Sequence, residues 1–273
     1  MSAVFLAFAW CVGSAIGSFL NVCILRWPKS ESVVRPRSRC PKCGAMIAWY
    51  DNVPVISWLV LRARCRGCGE SISAMYPAIE AVTGGIWVAS LIAFGPSLLA
   101  IRVAVFCTIL LGIAVTDLRD YVIPDGFTVT GLVIVVAGSI VGVVTGAEYP
   151  FAGPLDALFG ACVGAGAITI VGWLGEVALK KEAMGFGDST LMAMAGAALG
   201  PGRALLTILL AAALGAAVFL VVVLPVGRLR ARARGEAFET PLVPFGVFLA
   251  PAAAAALLWG DAILGWYLGR LTG

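Results

Sequence analysis

Two carboxylates stand where apolar runs meet turns. Asp117 ends the run VAVFCTILLGIAVT and opens DLRDYVIPDGF, and Asp188 closes GFGD and begins another apolar run. An ionisable group at membrane depth is costly and is a functional suspect for that reason. Two carboxylates at one depth can share a proton, so that one serves as general base toward water and the other as acid. Glycines at 185 and 187 would let the backbone come close to a substrate chain. The plainer reading makes Asp188 a helix N-cap at an interface and Asp117 a helix-boundary residue. Spacing alone leaves both readings open. Asp125, after Pro124, reads as a cap for the next helix. Glu80 and Glu176 fall near span ends, within reach of cytoplasmic cations.

The second chemical cluster is sulfur. SRCPKCG and RCRGCGE each contain a CxxC followed directly by glycine: Cys40 and Cys43 with Gly44, Cys65 and Cys68 with Gly69. Two such knuckles supply the four thiolates of a tetrahedral Zn²⁺ site. Nearby Arg and Lys would help to keep the thiolates ionised. The competing reading is a redox or disulfide pair, which a cytoplasmic location disfavours. Four thiolates leave no open position on the metal, so the site reads as structural. The other cysteines, 11, 23, 107 and 162, lie in apolar runs and read as small core fillers. The chain has no histidine. That excludes Ser-His-Asp and Cys-His pairs and histidine-ligated metals.

The elements that must position these groups are membrane helices. The 273 residues are 61% hydrophobic and 12% charged, against about 25% charged in a soluble domain. The fold class is therefore an all-α polytopic membrane protein. About eight transmembrane helices are expected, near 3–25, 77–95, 98–116, 127–146, 156–179, 188–200, 203–226 and 242–268. The sixth is short for a ~30 Å hydrocarbon core and could join its neighbour around Gly200-Pro201-Gly202. The last reads as interrupted near Gly260. The first lacks a basic n-region and reads as a retained span.

Charge orients the set. Sixteen of the 19 Lys and Arg fall on one side if the spans alternate, nine of them within 26–76. That side is cytoplasmic, and both termini lie outside. Domains follow: 1–25 as a first helix, 26–76 as a small cytoplasmic zinc-knuckle loop, and 77–273 as the membrane core. Between the knuckles, WYDNVPVISWLVL must pack on the membrane surface or against the knuckles. No internal repeat is evident. GRLRARARGE (227–236) reads as a solvated loop near anionic headgroups, with no nucleic-acid role.

Taken in order, several motifs resemble the bacterial type IV prepilin peptidases, within the wider GxGD group of membrane aspartic proteases. They are GSFLNVCILRWP (17–28), the double knuckle around WYDNVPVISWL (38–69), YPAIE (76–80), TDLRDYVIPD (116–125), GFGD (185–188) and VPFGVFLA (243–250). The resemblance runs over essentially the whole chain.

It implies that Asp117 and Asp188 form the catalytic pair of an enzyme in the bacterial inner membrane. That enzyme would cut a basic leader from a prepilin or pseudopilin on the cytoplasmic side, then methylate the new N-terminal amine with S-adenosylmethionine. It also implies that the cysteine loop, with Cys40, Cys43, Cys65 and Cys68 as zinc ligands, is tied to the second activity. Two positions depart from the family: Thr190 where a lysine is common, and Met75 where an arginine is common. Both losses of charge bear on substrate range or methyl transfer more than on cleavage. The alternatives are a peptidase without methyl transfer, a zinc-knuckle assembly protein without catalysis, and a transporter using its carboxylates as a proton relay. A transporter should show repeated or broken spans, which the sequence does not.

Overall fold

The structure is a computed structural model that describes residues 1–147, 149–180, 184–235 and 243–272. Its elements are helices: α1 Ala3–Arg26, α2 Ile56–Val60, α3 Met75–Phe94, α4 Leu98–Asp120, α5 Asp125–Thr145, α6 Pro154–Leu179, α7 Phe186–Leu199, α8 Pro201–Val218, α9 Leu224–Arg234 and α10 Gly246–Thr272. Among the described residues, seven helical stretches are long and apolar enough to cross a membrane. The polytopic all-α expectation holds. Short α7 is not one of the seven. Its 14 residues reach about 21 Å at 1.5 Å per residue.

The chain divides into two compact units, Met1–Gly112 and Ile113–Gly273. In the first, α1 packs along α3. Glycines on both helices bring the backbones together. A Cβ on Gly13 would lie 2.9 Å from the Gly84 Cα, and one on Gly17 would lie 2.8 Å from the Glu80 Cα. Without a hydrophobic drive between helices in lipid, such close van der Waals contact is what holds a pair together.

In the second unit, α7 is the central element, packed by α5, α6, α8 and α10. Leu191, Met192, Met194, Ala195, Ala197 and Ala198 are fully buried. Gly160 and Gly164, one turn apart on α6, face the backbone of α7 at Gly196 and Met192, leaving no room for a side chain. α7 ends at Gly200, whose φ of +78° favours glycine. Pro201 then starts α8 as a separate helix, so the two do not fuse. The carbonyl of Ala198 accepts the Ala152 N–H at 2.9 Å, which satisfies a group that the helix end leaves unpaired.

Two expectations change. Helix α10 runs unbroken through Gly260. The glycine there makes room for Arg203, whose Cδ would lie 2.9 Å from a Cβ; Arg203 also pairs with Asp261 at 3.7 Å. The basic run after Gly227 is helical through Arg234, because Ala and Arg are strong helix formers.

Candidate active site and metal site

The sequence segments containing Asp117 and Asp188 converge in the second unit. Asp117 lies in the last turn of α4, which continues to Asp120, and it is 6% exposed. Asp188 lies in the first turn of α7, three residues inside its Gly185 N-cap, and is 8% exposed. Its Oδ2 accepts the Gly185 N–H at 3.3 Å. Asp188 therefore caps the helix from within, and the capping and catalytic readings are compatible. The two carboxylates are close enough to repel one another.

A third segment, not assigned to the site from sequence, completes it. The start of α10 lies against Asp117. The Val247 N–H donates to Asp117 Oδ2 at 3.1 Å, and the Gly246 N–H also donates to this carboxylate. Gly246 has no space for a side chain, since a Cβ there would lie 2.8 Å from Asp117 Oδ2 and 2.8 Å from Ile123 Cδ1. Ile123 fills the other flank. A Cβ on Gly187 would lie 2.8 Å from the Ile123 Cβ. The near approach at Gly187 is thus to the α4–α5 connector. The glycine of VPFG was the available signal for this third segment. Thr190, at the first departure from the family pattern, turns its hydroxyl back onto the Gly187 carbonyl at 3.0 Å. Asp125 follows the N-cap Pro124 as the first residue of α5.

The first unit carries the sulfur site. Its two knuckles use the same bonds in the same order. The Cys40 N–H donates to the Ala45 carbonyl and the Gly44 N–H to the Cys40 carbonyl. In the second knuckle Cys65 pairs with Glu70, and Gly69 with Cys65. A β-bridge closes each, Arg39 with Met46 and Arg64 with Ser71. SRCPKCGAMI and ARCRGCGESI are thus two copies of one local structure, a repeat hidden in the sequence because half the letters differ. Gly44 and Gly69 turn each copy at φ of +72° and +73°, where a Cβ is disfavoured.

The four sulfurs lie within 4.8 Å of one another, a grouping that could hold a metal ion. Soft thiolates in this set suit Zn²⁺. The N–H groups of Cys43 and then Lys42 pull the Cys40 thiol down to about 6. The backbone of Lys42 does this, where its side-chain charge was the expected cause. Cys68 is lowered by the Glu70 N–H but raised more by burial and by its three sulfur neighbours, to about 11. Metal ligands must be deprotonated, so an ion held by these four sulfurs would displace their protons. Arg66, inside the second knuckle, holds Asp51 through two bonds of 2.8 and 2.7 Å and lies over the Tyr50 ring. Between the knuckles, Trp49, Ile56, Leu59 and Val60 are exposed, so they do not pack inward on the knuckles. Of the remaining cysteines, Cys23 is a core filler, while Cys11 and Cys162 face outward.

A helical membrane protein with a paired-aspartate site and a four-cysteine loop is the class that these features define. Comparison with known proteins makes it specific. Residues 11–94 match the bacterial peptidase A24 N-terminal domain, and residues 104–220 match the type IV leader peptidase family. The chain is 41% identical to the prepilin leader peptidase/N-methyltransferase of Myxococcus xanthus, over 86% of this chain and 68% of that protein. It is 35% identical to the protein of the same name from Stutzerimonas stutzeri, over 96% and 94%. The Pseudomonas aeruginosa protein of that name is 34% identical over the same shares. No solved structure matches. The chain belongs to the type IV leader peptidase family.

Proposed function

We propose that this protein is a membrane aspartic endopeptidase of the bacterial inner membrane. It removes the basic leader of a prepilin or pseudopilin on the cytoplasmic side and then methylates the new N-terminal amine. The single observation that carries the peptidase reading is the meeting of Asp117, Asp188 and the Gly246–Val247 backbone in one buried site.

The carboxylates divide the work by their hydrogen bonds. Asp117 accepts two backbone N–H groups, which favour a carboxylate in its charged form. Asp117 is the general base that takes a proton from water. Asp188 carries the shared proton and gives it first to the scissile carbonyl as the water oxygen adds. The proton taken by Asp117 then goes to the departing amine as the C–N bond breaks, and a hydroxyl of the diol returns a proton to Asp188 as the carbonyl reforms. Burial strengthens both steps by lowering the local dielectric.

Functionally, 1–25 and 77–273 form the membrane part and 26–76 the loop that serves methyl transfer. Cys40, Cys43, Cys65 and Cys68 hold a structural Zn²⁺, and S-adenosylmethionine is the methyl donor. With α7 as a short eighth crossing, the charge rule puts both termini outside. A prepilin suits this arrangement, because its basic leader stays cytoplasmic while its apolar helix enters the bilayer.

The test is cleavage of a purified prepilin in detergent by wild type, Asp117→Asn and Asp188→Asn, with mass spectrometry of the product N-terminus. Both variants should be inactive, and the wild-type product should gain one methyl mass with S-adenosylmethionine. A variant cutting at the wild-type rate would overturn the paired-aspartate mechanism.

A further inference from the structure

Glu80 was expected to face cytoplasmic cations, but it is turned inward. On the first turns of α3 it is 9% exposed. Its Oε2 accepts the Val55 N–H at 2.8 Å, and the Ser18 hydroxyl of α1 bonds the same carboxylate. Gly17 lets α1 approach the Glu80 backbone closely, since a Cβ there would lie 2.8 Å from the Glu80 Cα. One turn earlier, Asn21 Nδ2 donates to the Tyr76 carbonyl at 3.1 Å, which fixes the start of α3 against α1.

What Glu80 holds is strained. Val55 has φ +60° and ψ −48°. A β-branched residue rarely adopts positive φ and keeps it only where its surroundings fix it. Val55 is also the N-cap of α2, where unpaired N–H groups need an acceptor. The carboxylate supplies that acceptor.

From this corner, hydrogen bonds run on into the loop. Ser57 Oγ accepts the Val53 N–H and donates to the Tyr50 carbonyl, both at 3.0 Å. Trp58 Nε1 donates to the Ile72 carbonyl at 3.0 Å, and the Ile72 N–H donates to Ala63 beside the second knuckle. Asp51, next to Tyr50, is tied to Arg66 within that knuckle.

The geometry points to Glu80 as a positioning residue for methyl transfer: its carboxylate locks the Val55 corner to α3 and so holds the four-cysteine loop in one orientation on the α1–α3 pair. This rests on the reading that the loop serves methyl transfer. Glu80 acts as an acceptor, without touching methyl donor or amine.

The experiment uses the full chain in detergent with Glu80→Ala, Glu80→Gln, Val55→Gly and the double variant Glu80→Ala/Val55→Gly. Three rates are read: prepilin cleavage, methylation of already cleaved pilin, and trypsin cutting after Arg62 and Arg64. Glu80→Ala should lower kcat for methylation about tenfold, the factor that one charge-assisted hydrogen bond carries. Trypsin cutting should rise by a similar factor, while leader cleavage stays within about twofold. Glu80→Gln should stay near wild type, since its amide oxygen still accepts. Val55→Gly should restore much of the Glu80→Ala loss, because glycine holds positive φ unaided.

Equal damage from Gln and Ala, no rescue by Val55→Gly, or an unchanged trypsin rate would each overturn the proposal. So would an equal fall in cleavage and methylation. If wild type never methylates pilin, the functional reading fails, and the trypsin rates with the Val55→Gly rescue still decide whether Glu80 holds the loop.

Discussion

Gly246→Ala is the most informative single change in the aspartate site. The new Cβ would lie 2.8 Å from Asp117 Oδ2, 2.8 Å from Ile123 Cδ1 and 3.2 Å from Asp117 Cγ. Separations under 3.0 Å require something to move. The Ile123 methyl can rotate away at small cost. The carboxylate cannot move without stretching its 3.1 Å bond from the Val247 N–H. Losing a hydrogen bond to a charged group costs about 1.5–3 kcal/mol. If that bond aligns Asp117 in the transition state, kcat falls roughly 10- to 100-fold. KM for the prepilin should barely change, because no substrate contact is removed. The control is Gly260→Ala on the same helix. There the Cβ meets Arg203 Cδ at 2.9 Å and Cγ at 3.0 Å, a flexible side chain that can withdraw. It should cut at the wild-type rate. The assay is steady-state prepilin cleavage in detergent, with thermal unfolding measured alongside. A folded Gly246→Ala enzyme that cuts at full speed would refute the reasoning. So would an equal loss in Gly260→Ala.

Three further outcomes follow from the structure. The purified protein should carry one zinc per chain, and Cys43→Ser should lose it while prepilin cleavage persists; elemental analysis beside the cleavage assay checks this. Arg66→Gln should speed zinc transfer to a chelator only a few-fold, because the arginine of its ion pair with Asp51 is 58% exposed and screened by solvent; a colorimetric chelator reads the rate. Gly160→Val should part α6 from α7, where the added side chain meets the Gly196 backbone. Overpacking of that kind costs about 1–3 kcal/mol or more, so thermal unfolding should shift down and cleavage should fall with it.

Much of this protein is legible in its letters. Apolar runs as long as a bilayer is thick specify helices, because no other open structure satisfies the backbone in lipid. Two CxxC-Gly units specify knuckles, because the glycine must turn where a Cβ cannot. Asp117 and Asp188 are conspicuous because carboxylates are expensive beside apolar runs. The rest depends on which distant segments meet. Nothing near Asp117 in sequence says that the N–H groups of Gly246 and Val247 would bond it. Gly187 reads as an opening for substrate until Ile123 is seen to fill that space. Glu80 reads as a partner for cytoplasmic cations until the Val55 corner claims it. The repeat of the knuckles is hidden by changed side chains, since it resides in backbone bonds. Local composition determines which elements form and which residues are costly. Only tertiary packing decides which donor reaches which carboxylate, because that depends on helices approaching at glycines to within a few ångströms.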